Sequence, residues 1–153
     1  MANGLARAPR LRRHMQTPPI VRLRDGELMP QVEGPIFAGN ALSQAISQNI
    51  GTDDIYVTAL FYEAGTRVRP HTHTHDQILY YVSGTGIIAL DGGEDVVIAE
   101  GGFVSLPGGI VHMHGADESG PACHLAMGRM PNPVNFAPEV PASWSQWVVS
   151  DEG

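Results

Sequence analysis

The sequence has one cysteine, no lysine and no long apolar run. A single thiol, Cys123, excludes an internal disulfide framework and every cysteine-rich zinc module. No hydrophobic stretch approaches the roughly 20 residues needed to cross a bilayer. No secretory h-region opens the chain either, so a soluble, cytoplasmic protein with no membrane partner is expected. The 153 residues suit one domain and are too few for two well-cored ones. Helix-length segments are also scarce. With 18 Gly and 12 Pro, no run free of both exceeds 13 residues (52–64 and 71–83), which leaves little room for a helical bundle.

Without lysine, all nine basic residues are Arg. Six of them (Arg7, Arg10, Arg12, Arg13, Arg22 and Arg24) precede the first acid, Asp25. From there to the end, 3 Arg face 16 acids, a balance of −13. That body repels phosphate, so nucleic acid is not an expected partner. The basic arm reads as a solvated terminus; contact with an anion and a transit peptide are the alternatives.

What is present is a series of short strands. Residues 1–35 read as an irregular arm with one possible strand at Ile20–Leu23, and residues 36–50 are ambiguous between helix and strand. From residue 55, β-branched and aromatic runs alternate with turn signals. The runs are Ile55–Glu63, Ile78–Ser83, Ile87–Leu90, Val96–Ala99, Phe103–Leu106, Val111–His114 and Cys123–Met127. Asp91-Gly92-Gly93 has hairpin-turn chemistry. Strands at this spacing predict an all-β antiparallel sandwich or barrel over 36–130. The tail, 131–153, reads as a Pro-rich strap carrying Trp144 and Trp147, whose expected role is a core or dimer contact.

Six of the seven histidines (His71, His73, His75, His112, His114 and His124) fall within 54 residues. In a strand, residues i and i+2 share a face, so His71 and His73 converge, and Gln77 keeps their parity if the strand continues. His112 and His114 repeat the pattern on another strand, and His124 lies on a third. Imidazole nitrogens with an amide oxygen suit a divalent Mn, Fe, Co, Ni, Cu or Zn ion. Thr58, Leu60 and Tyr62 share one parity and are expected to line a pocket with Tyr81. Cys123 faces away from His124 and reads as a small packed hydrophobe. Arg67 and Arg69 read as surface ion pairs, with a substrate anion as the alternative.

The spacing Gly65-x5-His71-x-His73-x3-Gln77-x6-Gly84 resembles the first motif of the cupin superfamily, and Gly101-x5-Pro107-x-Gly109-x2-His112 resembles the second. Together they cover about residues 55–127. The resemblance implies a jelly-roll β-barrel, commonly a homodimer, with one divalent metal held at the positions of His71, His73, Gln77 and His112. Two positions depart from the pattern: Gln77 stands where cupins usually have Glu, and Ala116 where Asn is common. The stretches His112-Met113-His114-Gly115-Ala116 and His124-Leu125-Ala126 are similar to those of cupin-type hydroxynitrile lyases. There the histidine at the position of His124 is thought to act as acid or base. The small zinc polyketide cyclases of actinomycetes, with several His and one Gln, are similar as well.

A Gln ligand leaves the metal at +2, which favours Lewis-acid chemistry. The expectation is a metal-dependent lyase or cyclase acting on a small or aromatic carbonyl-type substrate, with His124 as base. A dioxygenase and a non-catalytic small-molecule-binding cupin are the alternatives. His114 is open as an extra ligand, a supporting group or a proton shuttle; His75 as a rim residue or a further ligand.

Overall fold

The structure, a computed structural model, describes residues 18–137 and 139–148. Most of the Arg-rich arm, Arg7 to Arg13, lies outside them. Twelve strands among the described residues form two sheets. The first sheet runs β1 (Met29–Gln31), β3 (Ala41–Ala45), β4 (Ile55–Tyr62), β11 (Ala122–Arg129), β6 (Gln77–Ser83), β9 (Phe103–Leu106). The second runs β12 (Val134–Phe136), β5 (Arg67–His73), β10 (His112–Ala116), β7 (Gly86–Leu90), β8 (Val96–Ile98), with β2 (Phe37–Ala38) also on β5. Every pairing is antiparallel. The two sheets close face to face as an all-β jelly-roll barrel.

The expected strands from residue 55 onward all form. The ambiguous segment 36–50 resolves into β2, β3 and one helical turn, α1 (Ile46–Ile50), ended by Gly51. Ile20–Leu23 is not a strand. There the chain turns, with the Asp25 amide donating to the Arg22 carbonyl, and the buried Gln44 side chain holds the loop. Its Nε2 donates to the Arg22 and Asp25 carbonyls at 2.8 Å, and its Oε1 accepts from Arg24 N. The sheets also reach beyond 36–130, because β1 and β12 pair with β3 and β5.

Alternation sorts the side chains. Along β6, Gln77, Leu79 and Tyr81 are buried while Ile78 is exposed. Leu79, Tyr81, Ile88 and Leu106 fill one part of the barrel. The outer face of the first sheet carries Ala59, Phe61 and Cys123, so the thiol is the packed hydrophobe expected. On the outer face of the second sheet, Ala89 and Met113 pack against Trp144 from a 3-10 helix (Ala142–Trp147). Trp144 Nε1 donates to the Gly93 carbonyl, which fixes the strap to the β7–β8 turn. In that turn Asp91 and Gly92 have φ of 47° and 79°, as its chemistry requires.

One irregularity positions the site. His112 pairs with His71, but His114 pairs with Val68, so β5 spends three steps where β10 spends two. The extra residue is a β-bulge at Arg69-Pro70, where proline has no ladder N–H to lose. It reverses the parity of β5. Val68 faces the core before the bulge, and His71 and His73 face it after.

Candidate metal centre

His71, His73 and His112 are all buried. They offer nitrogens that lie within 4.8 Å of one another. Each ring is held from behind by a backbone carbonyl. Nδ1 of His71 meets the Arg69 carbonyl at 2.6 Å, that of His73 the Pro133 carbonyl at 3.3 Å, and that of His112 the Ile110 carbonyl at 2.9 Å. A carbonyl only accepts, so each Nδ1 carries the proton and each Nε2 keeps its lone pair. Nε2 of His73 and of His112 are buried without a hydrogen-bond partner.

Gln77 reaches the same place by a different route from the one its spacing predicts. The strand does not continue past His73. The chain turns at 74–76, crosses between the sheets, and Gln77 opens β6 in the opposite sheet. Two side chains fix that corner: Asn132 Oδ1 accepts from His75 N, and Asp76 Oδ1 accepts from Gly108 N. Gln77 Nε2 donates to Tyr56 Oη at 3.0 Å, while its Oε1 is buried and unpartnered. Burying bare polar atoms is costly unless something binds them. Two imidazole lone pairs and one amide oxygen left bare are donor types that suit a divalent transition metal.

Burial holds these imidazoles neutral, as ligands must be. It lowers His71 to about 3, helped by the neighbouring His112, and His112 to about 4. His73 is lowered for the same reason.

His114 and His124 form a second buried group with Tyr62. Tyr62 Oη lies 3.2 Å from His114 Nδ1 and 3.0 Å from His124 Nε2, and the two nitrogens are 3.1 Å apart. Burial lowers His124 to about 3, drives His114 well down, and raises the Tyr62 phenol.

A cavity of about 400 Å³ opens beside the cluster. His71, His73, Gln77 and His114 form its polar end; Phe37, Leu60, Val68, Met130 and Phe136 form much of its apolar wall. Thr58 and Leu60 line it as expected. Tyr62, Tyr81 and His124 do not; they lie packed in the barrel, with Tyr81 Oη donating to the Gly115 carbonyl at 2.9 Å. His124 Nε2 lies 3.1 Å from Nδ1 of His114, which does line the cavity. His75 sits outside, beside Thr74, Asp76 and Arg129. Arg67 makes a two-pronged ion pair with Asp95 at 3.0 Å, and Arg69 donates to the Gly34 and Trp147 carbonyls. Tyr56 also lines the cavity and was not singled out from the sequence. The signal was there: residue 56 has the parity of 58 and 60 on the same strand.

The fold and the cluster define a class: a small jelly-roll barrel with a candidate divalent metal centre built from three histidines and a glutamine. Residues 60–128, somewhat under half of the chain, match the family model described as Cupin domain. No curated relative matches the sequence. Among solved structures it is similar to a cupin-like protein of Thermotoga maritima (22% identity, TM-score 0.66, covering 81% of this chain and 96% of that one). It is also similar to the polyketide cyclase RemF of Streptomyces resistomycificus (18%, TM-score 0.68, 85% and 98%). A sugar phosphate isomerase of Silicibacter pomeroyi is a third (17%, TM-score 0.64, 79% and 83%). No helix among the described residues is long and apolar enough to cross a membrane.

Proposed function

We propose that the protein is a metal-dependent lyase or cyclase acting on an apolar, carbonyl-bearing small molecule. The observation that carries this reading is the bare donor set at the polar end of an apolar cavity. His71, His73, Gln77 and His112 would hold the ion, with Zn, Mn, Fe, Ni or Co as the choices that fit these ligands. Four neutral ligands leave a bound divalent ion its full charge, which supplies Lewis acidity toward a substrate oxygen. The chain's own groups do the rest. The apolar wall excludes water and seats the substrate body. A chamber of about 400 Å³ with Phe37 and Phe136 in its wall takes an aromatic or polyketide-like compound. His114 exchanges the substrate's proton: its Nδ1 is engaged from behind, which leaves Nε2 for the cavity. Tyr62 and His124 hold its ring and accommodate the change in its proton.

Elemental analysis tests the centre. Protein purified without added metal should hold about one ion per chain, and His71→Ala with His73→Ala should hold none. Chelation should abolish turnover of an aromatic carbonyl substrate, and return of the ion should restore it. Turnover should persist under anaerobic conditions. A strict need for oxygen would transfer the site to dioxygenase chemistry, and ligand binding without turnover would make it a binding module.

We further propose a cytoplasmic homodimer. Support for association comes from Ile78 and Phe103, 46% and 68% exposed on the outer side of the first sheet. Phe103 stacks on Tyr80 there, which makes one apolar patch. Sedimentation at micromolar concentration should give twice the chain mass.

A further inference from the structure

Resting on the metal-centre reading above, the geometry points to Tyr56 as a double-purpose residue. It orients the Gln77 ligand, and it offers the cavity a hydrogen-bond donor for a substrate oxygen. The inference follows the direction of each hydrogen bond around the phenol. Asn132 comes first. The amide of His75 can only donate, and it reaches Asn132 Oδ1 at 3.0 Å, so Asn132 presents its NH₂ on the other side. That NH₂ lies 3.5 Å from Tyr56 Oη and 3.4 Å from the His75 carbonyl. Gln77 comes second. If its Oε1 is the ligand atom, its Nε2 must face away, and it lies 3.0 Å from Tyr56 Oη. The phenol oxygen then accepts from two amides, which uses both of its acceptor positions. Its own proton is uncommitted, since no acceptor among the described residues takes it. Tyr56 lines the cavity, so that proton is available to an oxygen bound there.

A second feature fixes the ring. Gly128 faces Tyr56 across the β4–β11 pairing. A Cβ at Gly128 would meet Tyr56 Cε1 at 2.7 Å and Oη at 2.9 Å. The phenol occupies the space a side chain at 128 would take, beside Gln77, which pairs with Gly128 from the other strand. The substrate class narrows accordingly. It is a compound whose metal-facing group carries an oxygen with a lone pair to spare, such as a ketone, an aldehyde or an alkoxide.

The test compares wild type, Tyr56→Phe and Gly128→Ala. Cobalt(II) affinity and its visible spectrum report the ligand set. Binding of acetophenone against ethylbenzene, measured on metal-free protein, reports the donor. Tyr56→Phe keeps the ring and removes only the hydroxyl. It should weaken cobalt binding about tenfold, as loss of a partner behind a ligand does. It should erase the preference of metal-free protein for acetophenone while leaving ethylbenzene binding unchanged. Gly128→Ala should shift the cobalt spectrum by moving the ring. Wild-type cobalt affinity and acetophenone preference retained in Tyr56→Phe would overturn the inference. Wild-type protein that binds no cobalt would instead overturn the metal-centre reading beneath it, so the two failures are distinguishable.

Discussion

Direction of hydrogen bonding separates the histidines more sharply than their burial does. His71, His73 and His112 each turn Nδ1 to a carbonyl, so their tautomer is dictated and Nε2 is left as a ligand atom. His114 turns Nδ1 to Tyr62 and His124, groups that can both give and take a proton. The first arrangement suits a fixed ligand, the second a residue whose proton changes. Tyr62→Phe tests the second. It strips Oη from the triangle and leaves two buried ring nitrogens with only each other. The expected cost is about 1–3 kcal/mol of stability, read as a lower urea midpoint, because buried polar groups lose a partner. Metal content should stay at the wild-type level, since no ligand is touched. Loss of metal in this variant would show that His114 or Tyr62 belongs to the ligand set. The four candidate ligand positions are legible in the sequence because each sits at a motif position. The Tyr62–His114–His124 triangle was not. It depends on β10 and β11, which lie in different sheets, coming close inside the barrel, and no local spacing encodes that.

Between elements, the critical contact is β5 against β10. His71 and His112 are paired residues across it, so any widening of this ladder separates two members of the candidate metal cluster. Gly115 keeps the ladder close. A Cβ there would lie 2.1 Å from the Thr66 carbonyl oxygen and 2.6 Å from Arg67 Cα, both backbone atoms. Gly115→Ala must therefore push the strands apart. The expected loss is about 1–3 kcal/mol or more from overpacking, with a fall in metal affinity beyond it. Gly120→Ala is the control, because nothing lies within 4 Å of its Cβ position. Differential scanning calorimetry of both variants, with metal content measured alongside, checks the prediction; equal melting temperatures would refute it. The strands themselves were readable from residue composition and turn residues. The bulge at Arg69-Pro70 was not, since it shows only in the register against β10. The sequence-based parity of His71 and His73 holds within their own short stretch. It fails for Gln77, because the chain changes sheets at 74–76.

At the scale of the whole molecule, the five buried imidazoles among the described residues make folding a matter of proton balance. His71 and His124 are lowered to about 3 and His112 to about 4, and His73 and His114 are also lowered, in each case chiefly by burial. The unfolded chain protonates these residues near 6.5, while the native barrel keeps them neutral. Below 6.5 the unfolded state therefore binds more protons, and stability falls as the solution is acidified. The loss begins near pH 6.5 and continues until the native state protonates too, near 4 to 3. Each fully shifted histidine contributes a slope of up to about 1.4 kcal/mol per pH unit. Carboxylates titrate lower, near 4, so the window between pH 6.5 and 5 isolates the histidines despite the chain's net charge of −7. Metal-free protein should show a urea midpoint that is flat above pH 7 and drops steeply between 6.5 and 5. Saturating zinc should raise the midpoint across this range without moving the onset, because the ion binds only the native state while the onset is set by protonation of the unfolded histidines. A midpoint unchanged from pH 7 to 5 in the metal-free protein would mean that these histidines are not held neutral. It would also remove the premise that the barrel keeps a ready set of bare nitrogens for a metal.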